Sequence, residues 1–286
     1  MKSEESSGVL MVVATPIGNL GDLSRRALEL LASADAVYCE DTRHSRTLFS
    51  AHNFSSKGRL HALHEHNEAS QCEEIVRRVE GGQVVVLISD AGTPGISDPG
   101  VRVVAAVAAA GLRVSTAPGP SAVVAALSIS GLPTERFCME GFVPRKAGER
   151  QALYDLWAKE ERTVVFYESP QRVQQTMSEL SRRFPERRVV LGRELTKLHE
   201  EILRGSVAEV SASLASRDML GECVVVLEGA APTSAPDADA VEAALRDQLG
   251  RGASVRDAVN EVVAALGVVH RETYELALRL RSESAN

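Results

Sequence analysis

Aromatic residues are scarce in this chain: Phe, Trp and Tyr make up 4% of its 286 residues. Its core must therefore rest on Val, Leu, Ala and Ile. Cysteine is also scarce. Cys39, Cys72, Cys138 and Cys223 stand far apart with no CxxC pair, so a disulfide scaffold is excluded and reduced, mostly buried thiols are expected. No apolar run approaches the roughly 20 residues that span a bilayer, and no membrane partner is expected. GxGxxG and GxxxxGKS/T are both absent, which removes the glycine frameworks of dinucleotide-binding and P-loop proteins. The opening Met1-Lys-Ser-Glu-Glu-Ser-Ser7 is short, polar and acidic, without signal-peptide character. It reads as a loose tail on a cytoplasmic protein.

What is present fits a globular protein of more than one domain. Hydrophobic residues make up 44% and charged residues 25%, ordinary values for such a chain. The net charge of −7 argues against nucleic acid, DNA in particular. Its distribution argues back: between Arg136 and Gly205 basic residues outnumber acidic ones, which permits a local RNA-binding face.

The pattern predicts an α/β chain. Strands are predicted at Val9–Thr15, Ala36–Glu40, Arg59–Leu63, Val84–Ser89 and Arg113–Thr116. Helices are predicted at Ser24–Ala34, from Thr42, at Glu68–Glu80 and at Val101–Ala110. Strand and helix alternate, hence a mostly parallel sheet covered on both faces. Ala117-Pro-Gly-Pro-Ser121 breaks the pattern as a hinge, giving an N-terminal domain over 1–117. A second α/β domain over 118–229 has predicted strands Phe137–Phe142, Thr163–Tyr167, Val189–Gly192 and Glu222–Glu228. Its predicted helices are Arg150–Lys159 and Gln171–Phe184. The Pro/Ala-rich segment 230–239 reads as a linker. A helical domain over 240–286 follows, with helices Ala240–Leu249, Ser254–Leu266 (Ser254 as N-cap, Gly267 closing it) and Arg271–Leu280.

Four segments concentrate Gly, Pro and polar residues just after apolar strands: Thr15-Pro-Ile-Gly-Asn19, Glu40-Asp-Thr-Arg-His44, Ser89–Gly100 (SDAGTPGISDPG) and Ala117–Ser121. Parallel strands bring such loops to one sheet edge, where α/β proteins hold ligands on backbone amides. Asp41 and Arg43, two apart, are either a surface ion pair or a match for a hydroxyl and a phosphate. His61, His64 and His66 lack metal-site spacing and read as polar surface or a hydrogen-bonded cluster, with no metal expected. Glu168, Arg193, Glu194 and Lys197 end two strands of the second domain, either as solvated charges or as contacts facing an inter-domain cleft. The basic loop Gly141–Arg150 is a solvated face or a clamp on phosphates.

TPIGNLGD, EDTRHS, LHEHNE, SDAGTPGISDPG, PGPSA, LPTERFCMEGFVPRK, FYESPQRV and GRELTK follow one another along the chain. In order and spacing they resemble the ribosomal RNA small subunit methyltransferase I family, within the tetrapyrrole-methylase-like class III S-adenosylmethionine methyltransferases. The resemblance is close over about residues 8–229 and looser beyond. It implies two α/β domains with a methyl-donor cleft between them and a small helical C-terminal domain. It implies 2′-O-methylation of a decoding-region cytidine ribose in 16S rRNA of the small ribosomal subunit, with S-adenosyl-L-methionine as cofactor and a homodimeric assembly.

Carried over by position, the donor site involves Pro16, Gly18, Asp90, Ala91, Gly92, Thr93, Ser97, Asp98, Ser121 and Ala122. The acceptor side involves Arg145, Lys146, Glu168 and Arg193. For catalysis, Asp41 or Glu194 is expected to orient or deprotonate the ribose hydroxyl, with Arg43 or Lys197 supplying positive charge. Two departures stand out. Gln171 replaces the His that relatives commonly carry, so that position is given no catalytic role. The tail has Val269, His270 and Glu275 where relatives carry lysines, leaving Arg256, Arg271 and Arg279, and is expected to pack or dimerise. The competing readings are a class III methyltransferase with a small, tetrapyrrole-like acceptor, a non-catalytic ribosome-binding factor, and a His-cluster metallohydrolase.

Overall fold

A computed structural model describes residues 8–64, 66–231 and 238–283. The N-terminal tail, Glu65 of the LHEHNE motif and most of the 230–239 linker lie outside the described residues. The chain divides into a compact unit ending at Gly229 and a second beginning at Ala230.

The first unit holds two five-stranded sheets. The first half runs β1 (Val9–Val13), α1 (Arg25–Ser33), β2 (Ala36–Cys39), α2 (Thr42–Ala51), β3 (Leu60–Ala62), α3 (Glu68–Glu80), β4 (Val84–Leu87), α4 (Val101–Ala109) and β5 (Arg113–Ala117). These strands form a sheet of order β3-β2-β4-β1-β5, parallel throughout. The parallel sheet expected from strand–helix alternation is thus observed. Its aliphatic strands are covered on both faces. Met11, Val13, Leu31, Val37 and Phe49 pack on one side, and Leu10, Tyr38, Ile75, Val85 and Val103 on the other. Two-sided burial explains why the strands read as continuous apolar runs.

The second half contains α5 (Ala122–Ser130), β6 (Phe137–Phe142), α6 (Ala147–Trp157), β7 (Thr163–Glu168), α7 (Pro170–Arg183), β8 (Arg188–Arg193), β9 (Glu201–Ser206), α8 (Val207–Leu214) and β10 (Cys223–Leu227). Its sheet order is β6-β7-β10-β8-β9. Here β6 and β7 are parallel, whereas β10 runs antiparallel to both β7 and β8. Three elements, α5, β9 and α8, lie where no element was predicted. Helix α5 is apolar nearly all round and follows the proline pair directly, so it reads as neither a strand nor an amphipathic helix. Strand β9 has polar Glu201, Arg204, Gly205 and Ser206 at a sheet edge, where alternation carries little signal.

The second unit consists of α9 (Ala238–Gly250), α10 (Val255–Leu266) and α11 (His270–Glu283). Ser254 caps α10 by accepting from Asp257 N, and Gly267 ends it in a left-handed conformation, as the sequence indicated. The unit has its own core of Val241, Leu245, Val255, Ala258, Val259, Val262, Ala277 and Leu280. No described helix is long and apolar enough to cross a membrane.

Candidate functional site

Parallel topology puts the loops after β1, β2, β4 and β5 at one edge of the first sheet, and hydrogen bonds tie them together. Thr15 and Gly92 exchange backbone bonds, N–H to O distances being 2.8 and 3.0 Å. The Thr15 hydroxyl donates to Ser89 O at 3.1 Å. The Thr93 hydroxyl donates to Pro120 O at 3.1 Å, joining the SDAGTPGISDPG and PGPSA loops. Asp90 accepts from Asp41 N at 3.0 Å and pairs with His44 Nδ1 at 2.9 Å, joining it to EDTRHS. Glu68, of the LHEHNE segment, accepts from Gly100 N and Arg102 N at 3.0 and 2.9 Å. It caps α4, whose own N-cap is a glycine. Motifs far apart in sequence therefore build one rigid loop assembly.

The second sheet contributes the opposite wall. Strands β7 and β8 are each antiparallel to β10, so their carboxyl ends share an edge with the start of β10. A cavity of about 330 Å³ lies between this edge and the loop assembly. From the first sheet's loops it is lined by Ile17, Ala91, Gly92, Thr93, Ile96, Ser97 and Asp98, then by Ser121 and Ala122 at the start of α5. From the second it is lined by Phe142, Tyr167–Pro170, Gly192, Leu195 and Gly221–Val224. Its volume is that of a pocket for a nucleoside-sized ligand.

Of the residues singled out in the sequence, Ala91, Gly92, Thr93, Ser97, Asp98, Ser121, Ala122 and Glu168 line the cavity. Pro16 and Gly18 do not, but Ile17 between them does. A Cβ on Gly18 would collide with the Lys197 stem, so that glycine admits Lys197 across the boundary between the two sheets. Asp90 stands at the margin, engaged with Asp41 and His44. Burial pushes the Asp98 carboxyl up to about 6. It is the one lining carboxyl with a resolved upward shift, and it faces a mostly apolar wall.

Asp41 caps α2 through Arg43 N at 2.7 Å and holds the Arg43 guanidinium through contacts of 2.6–3.1 Å. The Arg43 hydrogen bonds keep the Asp41 carboxyl far below the ordinary carboxylate range. Neither residue lines the cavity. Lys197 Nζ bridges Glu194 at 2.8 Å and Glu222 at 3.1 Å. Burial would lower the Lys197 ammonium, but the two carboxylates outweigh it and the pKa ends above the usual lysine value. Burial likewise raises the Glu194 carboxyl, and Lys197 with the Glu222 amide brings it below normal. Glu194 and Thr196 both sit at positive φ, 51° and 68°. For a β-branched threonine this is a true outlier, of the kind that gathers at functional sites.

The remaining predicted residues have structural partners or solvent around them. The Glu168 carboxylate is fully buried and accepts from Ser169 N, Arg172 and the Thr176 hydroxyl at 2.8, 3.0 and 2.7 Å. Arg193 pairs across β8–β9 with Glu201 at 3.1 Å. Arg145 is exposed, and Lys146 is exposed and paired with Glu149 at 2.9 Å. Among the described residues no group of three or more His, Cys, Asp or Glu is placed to hold a metal ion. His61 instead stacks on Tyr38 with centroids 5.0 Å apart, and burial lowers its pKa.

Sequence reasoning missed Phe142, Tyr167, Leu195, Gly221, Glu222 and Cys223 as cavity residues. Phe142, Tyr167 and Leu195 stood inside quoted motifs. Gly221–Cys223 carried no signal, because only the antiparallel direction of β10 brings its first residue to the site.

Comparison with known proteins accords with this geometry. Residues 9–211 match the family model for tetrapyrrole (corrin/porphyrin) methylases. The chain is 43% identical over 281 residues to ribosomal RNA small subunit methyltransferase I of Mycobacterium tuberculosis (strain CDC 1551 / Oshkosh), covering 98% of each. It is 46% identical over 231 residues to the protein of that name from Xylella fastidiosa, covering 80% of this chain and 84% of that one. Among solved structures it resembles diphthine synthase, with a TM-score of 0.59 at 16% identity, covering 78% of this chain and 90% of that one. It also resembles uroporphyrin-III-C-methyltransferase from Thermus thermophilus, with a TM-score of 0.52 at 21% identity, covering 77% and 94%. At those identities the structural likeness speaks for the fold alone.

Proposed function

The chain belongs to the tetrapyrrole methylases and, within them, to the ribosomal RNA small subunit methyltransferase I family; from that premise we propose its reaction. It transfers a methyl group from S-adenosyl-L-methionine to the ribose 2′-hydroxyl of a decoding-region cytidine in 16S rRNA of the small ribosomal subunit. It acts in the cytoplasm as a homodimer, with 1–117 and 118–229 as the two domains flanking the donor. The observation that carries this reading is the cavity where eight of the residues expected from the family pattern converge.

The cavity suits such a donor. Its glycine-rich loop offers backbone close to the ligand, its apolar wall takes an adenosyl group, and Asp98 offers a carboxylate to a cation. When bound, the donor supplies an activated methyl on a sulfonium, and displacement is governed by positioning. Gly92 at φ +82° admits the loop turn that brings Ala91 and Thr93 to the wall.

For the acceptor, Lys197 is the cation best prepared to act. Two carboxylates hold it charged, so it stabilises negative charge developing on the ribose oxygen. Glu194 and Asp41, both held ionised, are weak bases near neutrality and orient groups, and the hydroxyl proton leaves to solvent water as the methyl–oxygen bond forms and the methyl–sulfur bond breaks. Arg43, Arg145 and Lys146 present exposed positive charge to phosphates. Arg193 and Glu168 shape the acceptor wall through their neighbours.

The test has two arms. Calorimetric titration with S-adenosyl-L-methionine is expected to show saturable binding that Asp98→Ala weakens. Labelled donor is then offered to unmethylated small ribosomal subunits and, separately, to tetrapyrrole acceptors. Label on the subunits supports the reading. Label on the tetrapyrrole alone replaces it with a small-molecule methyltransferase, and absence of donor binding replaces it with a binding factor.

A further inference from the structure

Strand β6 contains an irregularity whose effect falls on the cavity. Cys138 and Met139 alternate regularly: Cys138 packs on the core that holds Trp157 and Phe166, and Met139 on the core that holds Ile17 and Leu195. The pairing then slips. Met139 is opposite Val165, and Phe142 is opposite Tyr167, so three steps along β6 match two along β7. Gly141, at φ +68°, supplies the extra residue, in a conformation suited to glycine. Simple alternation would turn Phe142 to the Cys138 side. The bulge turns it to the side of Met139 and Tyr167, where Ile17, Ala122, Leu195 and Val224 line the cavity.

The ring so placed packs against Tyr167, with centroids 5.4 Å apart, yet Phe142 stays 61% exposed. A chain with six phenylalanines places this one in water at the wall of the cavity. Three residues on, Arg145 is exposed and its guanidinium has no partner among the described residues. An open aromatic face beside an available cation is the combination that holds an unstacked nucleotide, base on ring and phosphate on guanidinium.

We propose that Phe142 is the stacking platform for the base of an unstacked nucleotide at the cavity, with Arg145 holding an adjacent phosphate. This rests on the proposed reaction and names the part of the acceptor site that reads a single-stranded RNA base. Phe142 positions the acceptor and takes no part in proton or methyl transfer. The bulge is what sets its direction.

Two variants test this. Phe142→Ala is expected to raise KM for unmethylated small subunits on the order of 10- to 100-fold, the loss typical of one stacked base. Donor affinity should change far less than KM, and Phe142→Tyr should restore KM. Phe142→Trp adds an exposed indole to a chain whose single natural tryptophan, Trp157, is only 1% exposed. Its fluorescence should be quenched by a cytidine-containing single-stranded oligonucleotide and not by an abasic strand of equal charge. Equal quenching by both strands, an unchanged KM, or donor affinity falling in step with KM would each overturn the proposal. A halved molecular mass for Phe142→Ala would assign the ring to a contact between copies and overturn it too. If wild-type protein methylates no subunits, the reaction assigned above fails, while selective quenching still decides for stacking.

Discussion

Asp98 is the residue where environment changes chemistry most plainly. Burial raises its carboxyl to about 6. A carboxyl raised on folding stabilises the native state fully below its unfolded pKa of about 3.9. That contribution fades as pH climbs through about 6. Asp98→Asn should therefore raise the thermal midpoint at pH 7.5, by about 1 kcal/mol in stability after solvent screening, and by little at pH 4. Melting curves at the two pH values check this, and an equal gain at both would contradict it. Donor affinity should run the other way: for a cationic ligand it should weaken as pH falls through about 6 in the wild type, and stay flat in the variant. Lys197 acts on the transfer step and not on the donor. With its two carboxylate partners kept, Lys197→Ala should lower kcat about 100-fold while leaving donor affinity nearly unchanged. An equal loss in both would make Lys197 a structural prop. At this scale the loops singled out in the sequence do carry Gly92, Thr93 and Ser121 to the cavity wall. The sequence was misleading where a charged type suggested a free contact, as in Glu168, because its three donors come together only on folding.

Among the elements, α4 shows how a distant side chain can hold a ligand loop. Its N-terminus begins at Gly100, at φ +132° and with no cap of its own, and Glu68 supplies the missing acceptor from α3. Glu68→Ala should cost about 1–2 kcal/mol in chemical denaturation, as removal of a buried cap does, and Glu68→Gln less. A change confined to donor binding, with stability intact, would contradict this role. The strands of the parallel half were legible because apolar runs between glycine-rich turns leave few alternatives. The second sheet was legible in four of its five strands, β9 excepted, but not in their directions. Nothing in Cys223–Leu227 announces that it runs against both neighbours, although that reversal brings Gly221–Cys223 to the cavity. The β6 bulge was not drawn from the sequence either, where Gly141 falls both in the predicted strand Phe137–Phe142 and at the start of the basic loop Gly141–Arg150, although a glycine inside a strand often marks a bulge.

At the scale of the molecule, every cavity residue precedes Gly229, and the helices after Ala230 have their own core. A chain ending at Gly229 should bind donor within about 2-fold of the full protein, as independent units do. Loss of donor binding on that truncation would show that the helical unit is needed for the site. The helical unit itself was legible through its caps and apolar spacing, while Val269, His270 and Glu275 stand where cations would have marked an RNA-binding role. In the proposed reaction the loop assembly and the start of β10 together form a methyl-transfer site for ribosomal RNA. This reaction is tested most directly by labelling unmethylated small subunits with S-adenosyl-L-methionine and locating the methyl group by nuclease digestion and mass spectrometry. One modified cytidine is expected in the decoding region, with the methyl on the ribose 2′-oxygen. A methyl on a base, or no transfer to 16S rRNA, would contradict it.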